Sequence, residues 1–556
     1  MALAAAALLV GALLPLSPPT AAAIECPTLT LPRPAEPYEV TRARLEKLGQ
    51  WHVAGSPALT PPRDPQLGDT WLWYVWDLGG YPVATLKPAT VRGVGDHCYV
   101  VVDDDEWNVS MDQEDVDRIV LCFDNQSIGS FPDQGIWDLN TSHFGDPPNP
   151  LDGLDRVFLF YYRFNISADG YFWVYDQYPN GTQPFASNEC DVVYLATDSG
   201  QPASNYMLAV AAHEFQHLIH FARDTNEDLW VEEGLSELAM WLFGNPDIIS
   251  GFNSNPDNSL FAWNSAWADY IKTYLWTLYM YEQYGGQPLI WDLTHDPANG
   301  MTGYQDALLG QGFTDVDTRD VFADWGAANF LDDTTIDAGQ YGYIGDDLPP
   351  FTAFRTHSTY PVVTASGSVQ AHATDYVRLQ NFAGTVSVSF DGYDLREFRV
   401  TLLALDTALP TLVEPLPLDE LNAGSLDFLA AIGYDEVIVA IANVSSSGSG
   451  IYSYEVTETN LSDAPPALVA ASELQSHPNP FNPRTEFQFE LARSGNVQLT
   501  VHDLRGREVA RLIEGPRTAG VQRIPWTPND LASGVYVGRL AIDGHEVSRR
   551  KVTVIK

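Results

Sequence analysis

Positive charge is scarce in this chain. Its 556 residues include 29 Lys and Arg against 73 Asp and Glu, a formal net charge of -44. A field of that sign repels phosphate backbones and anionic headgroups, which excludes the electrostatic footprint of a nucleic-acid binder and of polybasic membrane docking. Long apolar runs are missing beyond the N-terminus, so no later segment reaches the roughly 20 apolar residues of a transmembrane helix. Cysteine is sparse as well. Cys26, Cys98, Cys122 and Cys190 all lie in the first part of the chain, and none has the C-x-x-C spacing of a metal or redox site. In an exported protein they permit disulfides whose pairing stays open, and the expected role is structural bridge or buried thiol. No repeat of solenoid period occurs.

The 45% hydrophobic and 12% aromatic fractions place the acidity on folded surfaces. At roughly 150 residues per domain the length predicts about three to four domains. Residues 1–23 form an Ala/Leu run closed by Ala21-Ala22-Ala23, the pattern of a secretory signal peptide, although no Lys or Arg precedes Arg33. Ile24-Glu25 ahead of Cys26 does not suit lipoprotein cleavage. Residues 24–62 are Pro-rich and read as an N-terminal or pro-segment, with one helix around Thr41 to Leu48.

From Gly68 short apolar runs (Thr70 to Trp76, Cys98 to Val102, Arg156 to Tyr162, Asp191 to Leu195) predict a sheet of about four or five strands, and Met207 to Asn329 turns helical. The fold class is therefore α+β, with a first folded domain over 63–345. Strand signals return at Val369 to Leu379, Val386 to Phe390, Glu397 to Leu403 and Glu436 to Ile441, predicting an accessory β-sandwich over 356–460. A Pro/Ala/Ser linker over 461–476 precedes a last module over 477–556.

His213-Glu214-Phe215-Gln216-His217 fits H-E-x-x-H inside an apolar helical stretch. Histidines at i and i+4 share one helical face and can reach one Zn²⁺ at about 2.0–2.1 Å. Glu214 is then placed to accept a proton from water. His220 lies about 10 Å along the axis from His213 at 1.5 Å per residue, too far to share that ion, and reads as a flanking histidine. A third ligand is expected from a second helix start, Trp230-Val231-Glu232-Glu233-Gly234-Leu235-Ser236-Glu237, where Glu232 and Glu233 are both candidates.

This second stretch resembles the W-[LV]-x-E-G-x-[SA]-E motif of gluzincin metallopeptidases. The resemblance implies Glu233 as zinc ligand, Glu232 as a solvated neighbour, and Glu237 as the acid that orients a ligating histidine. Tyr270-Ile-Lys-Thr273 with Glu282-Gln283 and Gly285-Gly286 is similar to the Y-x-K-G…E-Q-x-x-G-G helix of aminopeptidase-N-type gluzincins. It implies Tyr270 as oxyanion donor with Tyr274 as substitute, and Thr273 stands where that group has Gly. The G-x-M-E-N strand that captures a free amine in those aminopeptidases has no match between Phe158 and Val210. Ser187-Asn188-Glu189 is a faint echo of it, so an endopeptidase acting on proteins or peptides is favoured. From Gly68 to Asn329 the chain looks most like the hyicolysin-type secreted peptidases, through His97 to Asp103 and Trp325 to Asn329. Asp103 to Glu106 and Glu114 to Asp117 could offer oxygen ligands to Ca²⁺, but neither has EF-hand spacing and both read as solvated acidic turns.

The last module carries Pro478-Asn-Pro-Phe-Asn-Pro483, Asp503-Leu-Arg-Gly-Arg-Glu-Val509, Trp526 and Leu531-Ala-Ser-Gly-Val-Tyr536. In that order these resemble the type A sorting domain of the type IX secretion system, an Ig-like sandwich of about seven strands. The resemblance implies export through the periplasm to the outside or the outer cell surface, with the secretion machinery as partner. From Pro478 onward 12 Lys and Arg stand against 8 Asp and Glu, whereas the preceding residues carry 17 against 65. The acidity belongs to the cargo. The competing function class is a surface adhesion or glycan-binding protein with a degenerate peptidase domain.

Overall fold

In a computed structural model of the protein, the described residues are 26–28, 30–51, 64–148, 151–382, 384–406, 409–428, 434–460, 474–491, 495–503, 507–518, 520–528, 531–542 and 545–555. Residues 1–23, which read as a signal peptide, and most of the expected 461–476 linker lie outside them. The architecture is α+β. The chain divides into two compact units, Met1–Thr352 with Gln370–Thr374 and Ser446–Gly448, and Ala353–Val369 with Asp375–Ser445 and Ser449–Lys556.

The first unit opens with α1 (Tyr38–Lys47) and then builds one sheet from β1 (Thr70–Asp77), β2 (Val83–Val94), β3 (Cys98–Asp103), β4 (Val157–Tyr162), β5 (Gly170–Phe172) and β6 (Val192–Ala196). Their spatial order is β1-β2-β3-β4-β6-β5. The three central strands are parallel and buried along their whole length, which is why each reads as an unbroken apolar run. Helices α2 (Gln113–Asp124) and α3 (Ile136–Phe144) make the crossover from β3 to β4. Two strands escape the sequence pattern for physical reasons. The first half of β2 has no buried residue and contains Lys87 and Pro88, so it leaves no core-strand pattern, and β5 has only three residues.

The acidic stretches first read as solvated turns are engaged with the chain itself. Asp103 is fully buried and ion-paired with Lys87, Asp104 meets Arg92 at 3.0 Å, and Glu106 accepts from Arg163 at 3.0 Å and Thr197 at 3.0 Å. Glu114 and Asp115 form the first turn of α2, capped by Asp112, where the helix dipole favours acids. The remaining helices follow β6: α4 (Asn205–Phe221), α5 (Leu229–Phe243), α6 (Trp267–Gln283), α7 (Gln287–His295), α8 (Met301–Gly310) and α9 (Thr318–Leu331).

In the second unit, one sheet runs Ala423–Phe428, Gly384–Gly392, Gly450–Asn460, Val362–Val369. A five-stranded sheet runs Leu412–Leu416, Phe398–Leu405, Glu436–Asn443, Ala373–Gln380, Arg355–His357. The single strand expected over Val369 to Leu379 is thus two strands in different sheets. C-terminal to these, a sheet of three strands (Gln475–His477, Thr485–Leu491, Gly520–Trp526) and one of four (Glu508–Arg517, Gly495–His502, Gly534–Ile542, His545–Val554) give seven strands among the described residues. Alternate residues of Thr485–Leu491 turn inward, and Phe487, Phe489 and Leu491 join Val497, Leu499, Val501 and Leu540 in one core.

Burial pushes the carboxyls of Asp176, Glu227, Glu282 and Asp324, all in the first unit, up to about 7. Such groups hold their protons in the fold but not in the unfolded chain, so they stabilise at low pH, and that contribution is lost as pH rises through the folded value. His143, lowered by burial to about 4 from 6.5, opposes them only below pH 6.5. The thermal midpoint of the protein is therefore expected to rise as pH falls from about 8 to 6.5. Differential scanning fluorimetry across that window checks it, and a flat or falling midpoint contradicts it.

Candidate metal centre

Helix α4 begins at Ser204, whose hydroxyl accepts from the Met207 N–H at 3.2 Å. From Met207 to Phe221 every residue is buried, against β5, β6, α3 and α5. His213, Glu214 and His217 therefore project from a helix held on all sides. The chain turns at 222–228 and returns as α5, whose first three turns carry Glu232, Glu233 and Glu237 back to the histidines. Gly234 lets α5 approach α6: a Cβ there would collide with Thr277 Oγ1 and lie 2.9 Å from the Thr273 carbonyl oxygen. The close-approach glycine is on α5 rather than at Thr273. Thr273 turns its hydroxyl onto its own helix, donating to the carbonyls of Asp269 and Tyr270.

Four side chains converge. His213 Nε2 and His217 Nε2 are 3.1 Å apart, Glu233 Oε2 lies 3.3 Å and 3.8 Å from them, and the Cys26 thiol lies 3.7 Å from His217 Nε2. All four donor atoms lie within 4.8 Å of one another. A tetrahedral site with bonds of about 2.0–2.3 Å has ligand–ligand edges of about 3.3–3.8 Å, so the spacing suits one small divalent cation. Both Glu233 oxygens are buried without a hydrogen-bond donor, which a cation between these groups would satisfy. Burial, and the neighbouring His213, lower the His217 imidazole. Burial raises the Cys26 thiol and the Glu214 and Glu233 carboxyls, and the neighbouring acids push the thiol further. Against the opposing effect of burial, contacts with Cys26, Glu233 and Glu237 raise the His213 imidazole. The residues present fit a metal ion.

The outer atoms of both imidazoles face carboxylates. Glu237 Oε1 lies 3.3 Å from His213 Nδ1, and Glu232 Oε1 lies 3.5 Å from His217 Nδ1. Glu232 is not the solvated neighbour expected. It is 3% exposed and takes a two-pronged ion pair from Arg33 at 2.9 Å and 3.1 Å. Burial would raise its carboxyl, but Arg33 and His217 hold it well below the ordinary range. A carboxylate bonded to a ligating histidine fixes its tautomer and strengthens it as a donor; at His217 Nδ1 the Ser236 hydroxyl is closer than Glu232, at 3.2 Å.

Glu214 points past the four donors and is held by the N-terminal segment. Cys26 Sγ lies 3.2 Å from its Oε1, and Thr28 Oγ1 donates to Oε2 at 2.9 Å. The same Thr28 hydroxyl accepts from the N–H of Phe172 at 2.9 Å, on the edge strand β5. Gly170 of that strand leaves no room for a side chain, since a Cβ would sit 2.8 Å from Glu214 Cγ. Tyr270 is buried with its hydroxyl against the Cys26 backbone. Burial and the charge of Glu233 raise its pKa. Tyr274, the substitute, bonds to Asp346 instead. His220 is buried one turn beyond the cluster and outside it, near Glu232 and Asp224. Asn188, from the faint echo of the amine-binding strand, bridges the Tyr74 backbone and the Tyr194 hydroxyl.

No protein-family model and no curated protein matches the chain. Among solved structures, a biofilm-associated protein BSP domain is 10% identical at TM-score 0.14 and covers 36% of this chain and 52% of its own. The Endo-D glycoside hydrolase domain of Streptococcus pneumoniae is 10% identical at 0.12, covering 34% and 32%. Dimeric latent PorU of Porphyromonas gingivalis is 12% identical at 0.14, covering 37% and 19%. The chain thus spans about half the length of the first and about a third of the second, and likenesses this low transfer neither fold nor activity.

Among the described residues all four cysteines are free and buried. Three follow the buried-thiol expectation, but Cys26 joins the candidate ligands. Its distance in sequence from α4 left no spacing to read, and its only local mark is a Cys-Pro step in a Pro-rich segment. Two outcomes are expected. Gly234→Ala should cost about 1–3 kcal/mol by overpacking α5 on α6, read as a lowered thermal midpoint. Glu237→Gln should weaken metal affinity about 10–100-fold in a competitive chelator titration, and unchanged affinity would show that the carboxylate does not orient His213.

Proposed function

We propose that the first unit is a secreted, zinc-dependent metalloendopeptidase of the gluzincin kind. The observation that carries the reading is a His213/His217/Glu233 donor set with a second carboxylate, Glu214, beside it on the helix of the two histidines. Zinc held by those three residues supplies Lewis acidity toward a peptide carbonyl and lowers the pKa of water. Glu214, whose carboxyl burial raises, takes the proton of the attacking water and delivers it to the departing amine. Tyr270 donates from its hydroxyl to the oxygen that gains charge. Once Thr28 gives up the Phe172 N–H it accepts from, the edge of β5 offers that N–H to an extended substrate backbone. That strand reads Gly170-Tyr171-Phe172 and has no acid to hold a free amine, which supports an endopeptidase over an aminopeptidase. The C-terminal seven-stranded module, by its ordered motifs and its own core, is proposed as a type IX secretion sorting domain that takes the enzyme to the cell exterior.

The test is cleavage of casein or gelatin by zinc-loaded full-length protein, with and without chelator. It is run on the wild-type chain and on Cys26→Ala, whose fourth corner is open. Glu214→Gln in either background is expected to lower the rate by about 10²–10⁴-fold with zinc still bound. Zinc at one per chain with no cleavage by either form would end the peptidase reading and leave the surface-binding alternative.

A further inference from the structure

A catalytic zinc site keeps one coordination position open, whereas a closed four-ligand set is inert. Here the fourth corner is filled, and the residues that fill it engage every other group the chemistry needs. Cys26 Sγ completes the donor set and touches Glu214. Thr28 binds the other oxygen of Glu214 and takes the Phe172 N–H on the substrate-facing edge. The Cys26 backbone lies against the Tyr270 hydroxyl. Beyond this contact the segment is anchored twice. Arg33 pairs with buried Glu232, and Tyr38 of α1 packs edge-on against Tyr178 and Phe221 at ring distances of 5.5 Å and 5.6 Å. Phe221 ends α4, so the segment is fastened to the helix that carries the histidines.

We infer that the N-terminal segment bearing Cys26, Thr28 and Arg33 is an autoinhibitory latch, in which the Cys26 thiolate is the fourth metal ligand and the Cys26 and Thr28 side chains block the substrate cleft. This rests on the peptidase reading above. On binding, the thiol gives its proton to solvent as the sulfur–metal bond forms. Release breaks that bond, restores the proton and frees Glu214, Tyr270 and the β5 edge together. No oxidant or reductant is needed. Any event that draws Cys26 away opens the site, including cutting of the segment or capping of the thiol.

The experiment uses the full chain loaded with Co²⁺ and, separately, with Zn²⁺. Wild type is expected to bind one cobalt and show a near-ultraviolet thiolate-to-cobalt charge-transfer band. Cys26→Ala should bind one cobalt without the band and should cleave casein at least about tenfold faster with zinc, as for an enzyme whose competent state is a tenth of its population or less. Thr28→Val, which keeps the thiol, should keep the band and gain part of the activity. Cobalt bound by wild type without the band overturns the inference whatever the activity. Equal cleavage by wild type and Cys26→Ala overturns the latch, and loss of metal by Cys26→Ala makes the cysteine a structural ligand instead. A band with no cleavage by any variant refutes the peptidase reading rather than the ligand assignment.

Discussion

The site depends on a charge balance in a dry pocket. Two imidazoles, a thiol and the carboxylates Glu214 and Glu233 share a small volume with almost no access to water. Taking several acidic groups out of solvent costs several kcal/mol each unless they are paired. Arg33 balances Glu232, but it lies outside the ring of donors. A divalent cation is the compact way to balance the inner set, because one ion meets all four donors at once and turns their mutual repulsion into shared attraction. The outer carboxylates then hold the imidazoles in place.

Helix packing brings that set together, with its donor atoms within 4.8 Å of one another. The two histidines are fixed relative to each other by the 3.6-residue turn of α4, and the distance to Glu233 is set by how closely α5 can lie. Gly234 sets that closeness on the side of α6, and Gly170 does the same for the β5 edge beside Glu214. Both positions lack a side chain because backbone or a functional group occupies the space. The sheet contributes rigidity: its buried parallel centre leads through β6 into the helix that carries His213, Glu214 and His217.

What the sequence made legible was local. His213, Glu214 and His217 were visible because i and i+4 place groups on one face, and the acids of α5 because a turn of suitable length precedes them. The apolar runs marked the buried strands of the first sheet. Long-range closure was not legible. The contacts of Cys26 and Thr28 with the α4 residues span 186 to 191 positions, and no periodicity encodes a meeting at that range. Glu232 was misread for a related reason: next to a ligand and acidic, it looks solvated until Arg33 comes over it from the N-terminal segment. The edge strand β5 was too short to leave a pattern.

The complete burial of α4 also ties ion affinity to folding. His213 and His217 lose their rotamer freedom when the helix packs, so little ordering remains to oppose binding. By linkage, an ion present at about a thousand times its dissociation constant then adds about 4 kcal/mol to the stability of the unit that holds it. That is a large share of what a domain of this kind possesses in total. The helix that presents the histidines also packs against the sheet and the neighbouring helices, so an ion held there would act as a keystone, and withdrawing it would loosen both.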